Sequence, residues 1–143
     1  MPSRTFHTSS EEETIELGRA LGRELTGGVV LLIGNLGAGK TTLAKGMVEG
    51  RSAEGRNAAV ADEVSSPTFT LIHQYGSVFH IDLYRLDEVR EVETLGLDEI
   101  FLSGSLVLIE WGERFPQLLP ASRTEIRLRT LDDESREITV TEI

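Results

Sequence analysis

The sequence predicts an α/β fold organised around a phosphate-binding loop, and three observations carry that prediction. Residues 34 to 41 read Gly-Asn-Leu-Gly-Ala-Gly-Lys-Thr, a complete Gly-x-x-x-x-Gly-Lys-Thr loop. The aliphatic run Val29-Val30-Leu31-Leu32-Ile33 precedes it with no spacer, and the pairs Leu43/Met47 and Ala44/Val48 follow at helical i,i+4 spacing. Strand, glycine turn and helix in that order build an anion cradle. Glycines let backbone N–H groups turn inward, Lys40 sets a cation beside the outer phosphates, and the Thr41 hydroxyl can hold a Mg²⁺. The stretch expected to touch nucleotide is Gly34, Asn35, Leu36, Gly37, Ala38, Gly39, Lys40, Thr41 and Thr42. We expect a single P-loop NTPase domain over residues 1–143, with a mixed β-sheet flanked by helices.

Composition narrows the function. A chain of 143 residues buries enough surface for a core without staples. It has no cysteine, which excludes disulfides, thiolate nucleophiles and Cys-ligated zinc and is compatible with a reducing cytosol. The opening Met-Pro-Ser-Arg-Thr-Phe-His lacks the apolar stretch of a signal peptide, and residues 29–33 are too few to span a bilayer. A soluble, cytoplasmic protein with no membrane association is expected. The net charge of −10, from 14 basic and 24 acidic residues, repels polyanions and argues against tight, direct nucleic-acid binding. Only Lys40 and Lys45 are lysines, and neither stands in the Asn/Thr-Lys-x-Asp element with which GTPases read guanine, so ATP is favoured over GTP.

Ser10-Glu11-Glu12-Glu13 has the Ser-x-x-Glu spacing of a capping box ahead of Leu17, Leu21 and Leu25 on one stripe, which predicts a first helix over residues 11–25. Its acidic first turn complements the helix dipole. Gly27-Gly28 releases the chain into the strand that feeds the loop. Residues 51–66 express neither period and read as a mobile connection. Phe69–Tyr75 and Val78–Leu83 alternate as strands around a Gly76-Ser77 hairpin turn. In the second, Phe79, Ile81 and Leu83 are expected to pack inward, leaving the face of Val78, His80, Asp82 and Tyr84 available for chemistry. Residues 87–100 read as helical with Gly96 as a stop, Leu106–Ile109 as a buried strand, and the tail as a closing hairpin at the sheet edge through Ile126, Leu128, Ile138 and Val140.

Hydrolysis needs a carboxylate on the Mg²⁺ shell in addition to the loop. Glu110 directly follows four aliphatic residues, the arrangement in which a buried strand delivers one acid to the carboxyl edge of a sheet. Asp82 also ends a strand and can make a second metal contact. The predicted metal set is therefore Thr41, Glu110 and Asp82. His80 and His73 read as structural, hydrogen-bonded histidines. Ser65-Ser66-Pro67-Thr68 suits either a switch segment that closes on the γ-phosphate or an ordinary Ser-Pro turn. Arg85, Arg114 and Arg136 read singly as surface salt bridges, and Trp111 as either a nucleotide neighbour or a core anchor.

Four phrases, Gly34-Asn35-Leu36-Gly37-Ala38-Gly39-Lys40-Thr41-Thr42, Ser66-Pro67-Thr68-Phe69-Thr70-Leu71, His80-Ile81-Asp82-Leu83-Tyr84-Arg85-Leu86 and Leu108-Ile109-Glu110-Trp111, resemble the TsaE (YjeE) family in order and spacing. That family comprises bacterial P-loop ATPases required for threonylcarbamoyladenosine modification of tRNA. The resemblance implies an ATPase with ATP and Mg²⁺ as ligands. Its partners would be TsaD and TsaB, which carry out the transfer to tRNA, so tRNA would be met only through that complex. It further implies that Thr41 and Glu110 hold the metal, that Asp82 supports the catalytic shell, and that Ser66 to Thr68 form the switch-like loop. Lys40, Asp82, Glu110 and Thr68 would be the catalytic set, with nucleotide contacts at Glu11 and Arg136. The chain departs from the family pattern at Asn35, where Asp is usual, and at Phe69, where Tyr is common; neither change removes a phosphate or metal ligand.

Overall fold

The computed structural model describes residues 2–53 and 71–143. The elements run β1 (Ser3–Thr8), α1 (Glu11–Glu24), β2 (Gly28–Ile33), α2 (Lys40–Ala53), β3 (Ile72–Tyr75), β4 (Val78–Asp82), α3 (Val89–Glu93), α4 (Leu97–Leu102), β5 (Leu106–Glu110), β6 (Thr124–Thr130) and β7 (Arg136–Glu142), with short 3-10 turns at Gly112–Arg114 and Pro116–Leu118. The seven strands form one sheet in the order β1-β7-β6-β2-β5-β4-β3. Strands β6, β2, β5 and β4 are mutually parallel, while β1, β7 and β3 pair antiparallel. The sheet is mixed, as the hairpin signals predict.

Both faces of the central strands are covered, which is why β2 and β5 read as unbroken aliphatic runs. Val30, Leu32, Leu106 and Leu108 pack against Leu21 of α1 and Leu43, Met47 and Val48 of α2. Val29, Leu31, Val107 and Ile109 face the opposite way, onto Val92, Leu97 and Phe115. Helix α1 begins where the cap predicts: the Glu13 N–H donates to Ser10 Oγ at 3.1 Å, and the Glu13 carboxylate reaches back to the Ser9 N–H at 2.8 Å. Gly18 of α1 meets Gly46 of α2, Gly22 faces the Met47 backbone and Gly50 the Arg19 backbone, so the two helices touch main chain to main chain; a Cβ on Gly46 would stand 2.1 Å from the Ile15 carbonyl oxygen. This contact fixes α1 to the helix that follows the glycine loop.

Three sequence expectations are corrected. Residues 87–100 form two short helices, because Gly96 takes a left-handed φ of 71° and a new helix starts at Leu97. The C-terminal hairpin lies inside the sheet: β6 pairs with β2, and β1, which the sequence did not announce, covers β7 as the edge strand. Strand β4 is buried on both faces, with Val78 and His80 as inaccessible as Ile81, because α2 roofs the face that its polar residues seemed to leave open. Of the strand expected over Phe69–Tyr75, Ile72–Tyr75 is seen and residues 69–70 lie outside the described residues. Among the described residues, no helix is long and apolar enough to cross a membrane.

Candidate active site

Register brings the site together. Leu32 of β2 and Asp82 of β4 both stand level with Glu110 of β5, so the carboxyl ends of three parallel strands arrive at one edge, and the glycine loop leaves β2 there. The loop turns through Gly37 and Gly39, at φ 83° and 102°, values that a side chain disfavours. Gly34 is required for another reason, since a Cβ there would lie 2.8 Å from the Leu128 carbonyl oxygen. The Ala38 N–H closes onto the Asn35 carbonyl at 3.0 Å, and the Leu43 N–H onto that of Gly39 at 2.9 Å, which opens α2.

Lys40 folds back over this loop. Its Nζ donates to the Gly34 carbonyl at 2.8 Å and stands 3.6 Å from the centroid of the Trp111 ring, while the residue as a whole is buried. Burial pushes the Lys40 ammonium below its ordinary range, against the opposing pull of Glu110, Glu113 and Asp82. Trp111 is held in this position by a left-handed backbone, φ 67°, the one non-glycine residue with positive φ among the described residues, and its ring lies 5.2 Å from that of Tyr84.

Glu110 is the hub of the acids. Its Oε2 accepts from Thr41 Oγ1 at 3.2 Å and from His80 Nε2 at 2.6 Å. Asp82 Oδ1 accepts the Tyr84 N–H at 2.9 Å. Burial lifts the Asp82 carboxyl above its ordinary range, the Tyr84 N–H opposes that rise, and neighbouring Glu110 adds to it. Arg136, 98 residues along the chain from Ala38, reaches across β7 and fastens the loop. Its Nε donates to the Ala38 carbonyl at 3.0 Å and its Nη2 to that of Gly37 at 3.4 Å, while Nη1 holds the Asp132 and Ser135 carbonyls of the β6–β7 turn.

These groups border one cavity of about 630 Å³. Of the residues singled out in the sequence, Glu11, Leu36, Gly37, Gly39, Lys40, Thr41, Thr42, Asp82, Glu110 and Arg136 line it. Gly34, Asn35 and Ala38 shape the loop behind it, with the Ala38 side chain buried. Thr68 and the Ser66–Thr68 segment lie outside the described residues. Trp111 and Arg85, left open by the sequence, both reach the cavity wall, whereas Arg114 is engaged with the carbonyls of Tyr84 and Leu86. His73 bonds the Tyr75 hydroxyl at 3.0 Å, away from the cavity. Sequence reasoning missed the acids Asp133 and Glu134 on the rim and the bond from His80 to Glu110; the only sequence signal for His80 was its place two residues before Asp82 on one strand face.

The two oxygens Thr41 Oγ1 and Glu110 Oε2, 3.2 Å apart, are hard donors suited to a small divalent cation. Among the described residues, no cluster of three or more His, Asp or Glu side chains is arranged to hold a metal. Mg²⁺ takes one or two protein oxygens and completes its shell with phosphate and water, so the Thr41 and Glu110 oxygens would suffice to hold one.

Comparison with known proteins gives the family. The model of the family described as "Threonylcarbamoyl adenosine biosynthesis protein TsaE" matches residues 8–138. A Bacillus subtilis protein named tRNA threonylcarbamoyladenosine biosynthesis protein TsaE is 36% identical over 148 aligned positions, covering 100% of this chain and 88% of the relative. A Nostoc protein of the same name is 41% identical over 143 positions, covering 93% of this chain and 82% of its own length. The crystal structure of Bacillus subtilis YdiB superposes with a TM-score of 0.77 at 32% identity, over 99% of this chain and 86% of that one. With the family model spanning nearly the whole chain and full-length relatives above a third identical, the chain belongs to the TsaE family of threonylcarbamoyladenosine biosynthesis proteins.

Proposed function

We propose that this chain is a Mg²⁺-dependent P-loop ATPase that acts on a TsaD–TsaB complex to support its turnover in the threonylcarbamoyladenosine modification of tRNA. The observation that carries the reading is the convergence of Lys40, Thr41, Asp82 and Glu110 on one cavity at the carboxyl edge of the sheet, directly before the N-terminus of α2. A helix dipole, a glycine loop with inward amides and an ammonium form a triphosphate cradle, and a cavity of about 630 Å³ accommodates a nucleotide.

Thr41 and Glu110 would hold Mg²⁺, with Asp82 supporting them from the next strand; bound there, the ion neutralises charge on the terminal phosphates. The rest falls to the chain. The loop amides and Lys40 grip the phosphates so that a water can attack the γ-phosphorus in line, breaking its bond to the bridging oxygen. Arg136 holds the Gly37 and Ala38 carbonyls, and because a trans peptide sets N–H opposite C=O, the Gly39 N–H points away from the guanidinium. Glu11, at the first turn of α1, and Arg136 close the sides of the nucleotide site.

Among the described residues, Leu36 and Tyr84 stand exposed beside the cavity, and an exposed site screens charge; we therefore expect slow turnover alone and faster turnover when a partner covers it. The net charge of −10 suits a protein that leaves RNA contact to its partners. Phosphate release from ATP without any added acceptor, rising when TsaD and TsaB are supplied, tests the reading. An obligatory small-molecule acceptor would instead make the protein a kinase. Glu110→Gln is expected to lower turnover by about a hundredfold or more while retaining ATP binding; full partner function in that variant would make the protein a non-hydrolysing switch.

A further inference from the structure

We infer that His80 is a positioning residue for Glu110, a role that rests on the ATPase reading above. Its side chain is wholly buried in the middle of β4, on the same face as Asp82. Around it on that face of the sheet stand aliphatic residues, Val78, Leu106 and Leu108, which form one core cluster with α2. A core selected for packing alone would continue with an aliphatic side chain, because a buried imidazole must find hydrogen-bond partners. His80 finds one. Its Nε2 lies 2.6 Å from Glu110 Oε2, while Nδ1 has no hydrogen-bond partner among the described residues and no access to solvent.

That asymmetry assigns the tautomer. With the proton on Nε2, the ring donates to the carboxylate and leaves only a weak acceptor unpaired. On Nδ1 it would be an orphaned buried donor, with the Nε2 lone pair turned against the carboxylate oxygen. The same Glu110 oxygen accepts Thr41 Oγ1 at 3.2 Å. An acid on β5 is thus pinned by one donor from β4 and one from α2. A glutamate with three rotatable bonds needs such anchors to present a fixed carboxylate to the phosphate edge, and anchoring groups behind metal ligands have that effect.

Three variants test the inference. His80→Leu suits its aliphatic neighbours and is expected to fold. Its ATP affinity in EDTA should match the parent's, while the tightening of ATP binding by Mg²⁺ and the kcat each fall about ten- to a hundredfold. In His80→Gln the side-chain amide nitrogen stands near the lost Nε2 and should recover most of both. In His80→Asn it stands near Nδ1 and should not. Full Mg²⁺ dependence in His80→Leu, or equal behaviour of the Gln and Asn variants, would overturn the inference. A parent protein with no Mg²⁺-dependent ATP binding would instead overturn the ATPase reading. A spectrum of the parent's three ¹⁵N-labelled histidines needs no variant: His80 is expected to carry a proton on Nε2, and a bare Nε2 would refute the role.

Discussion

The Lys40 ammonium stands 3.6 Å from the centre of the Trp111 indole and is hydrogen-bonded to the carbonyl of Gly34, the first residue of its own loop. The cation that should meet phosphate is thus held by an aromatic face and a backbone oxygen, and a nucleotide must draw it away. Trp111 is the sole tryptophan, so its fluorescence reports on that exchange. Adding ATP should change the emission saturably. Lys40→Ala should abolish both this change and the thermal stabilisation by ATP, worth about 2.7 kcal/mol in the parent at a hundredfold excess over Kd. An undiminished thermal shift in the variant would remove the loop from the mechanism.

Arg136 spends its guanidinium on the carbonyls of Gly37, Ala38 and the β6–β7 turn. If it acts through the loop, Arg136→Ala should weaken ADP and ATP binding by the same factor, about fivefold or more from the loss of a charged hydrogen bond. Calorimetric titration with both nucleotides separates the cases. A loss confined to ATP would show that the side chain reaches the γ-phosphate.

Opposing effects meet at Gly46. Alanine gains about 1 kcal/mol of helix propensity over glycine, but its Cβ would lie 2.1 Å from the Ile15 carbonyl oxygen and 2.9 Å from the Gly18 Cα. Both obstacles are backbone, so the helices must part. Overpacking against backbone belongs at the upper end of its usual cost, about 2–3 kcal/mol, and should win, leaving Gly46→Ala less stable by about 1–2 kcal/mol in urea unfolding. A neutral result would show that α1 is free to slide.

Asp82 couples stability to function. Burial raises its carboxyl above the ordinary value of 3.8. An acid raised by folding lends stability that is complete below its unfolded value and lost as pH climbs through the folded one. At neutral pH the ionised form therefore carries a desolvation cost. Asp82→Asn, which keeps an oxygen for the Tyr84 N–H, should melt higher than the parent at neutral pH and hydrolyse ATP more slowly. The melting difference should shrink as pH falls toward 3.8. A variant less stable at neutral pH would reverse the sign assigned to this group.

The parts of the site that are contiguous in sequence were legible in it. The loop, Thr41 and the acid after Leu106–Ile109 announce themselves because each is a local pattern with one physical use. What escaped depends on neighbours that a linear pattern does not record. Strand β1 is mostly exposed and owes its place to pairing with β7, and only Phe6 and Thr8 turn inward, too few for a readable stripe. His80 read as a structural, hydrogen-bonded histidine, but its partner, Glu110 on the neighbouring strand, is set by strand register and left no mark in the local sequence. The fastening by Arg136 joins residues nearly a hundred positions apart, and no spacing rule reaches that far.

The most direct measurement is a crystal structure of the protein grown with Mg²⁺ and a non-hydrolysable ATP analogue. The triphosphate is expected against the amides of residues 37–42, with Lys40 moved from Trp111 onto the outer phosphates and the ion between Thr41 and Glu110. Nucleotide bound elsewhere, or a loop left empty at saturating analogue with Lys40 still on the indole, would contradict the ATPase assignment.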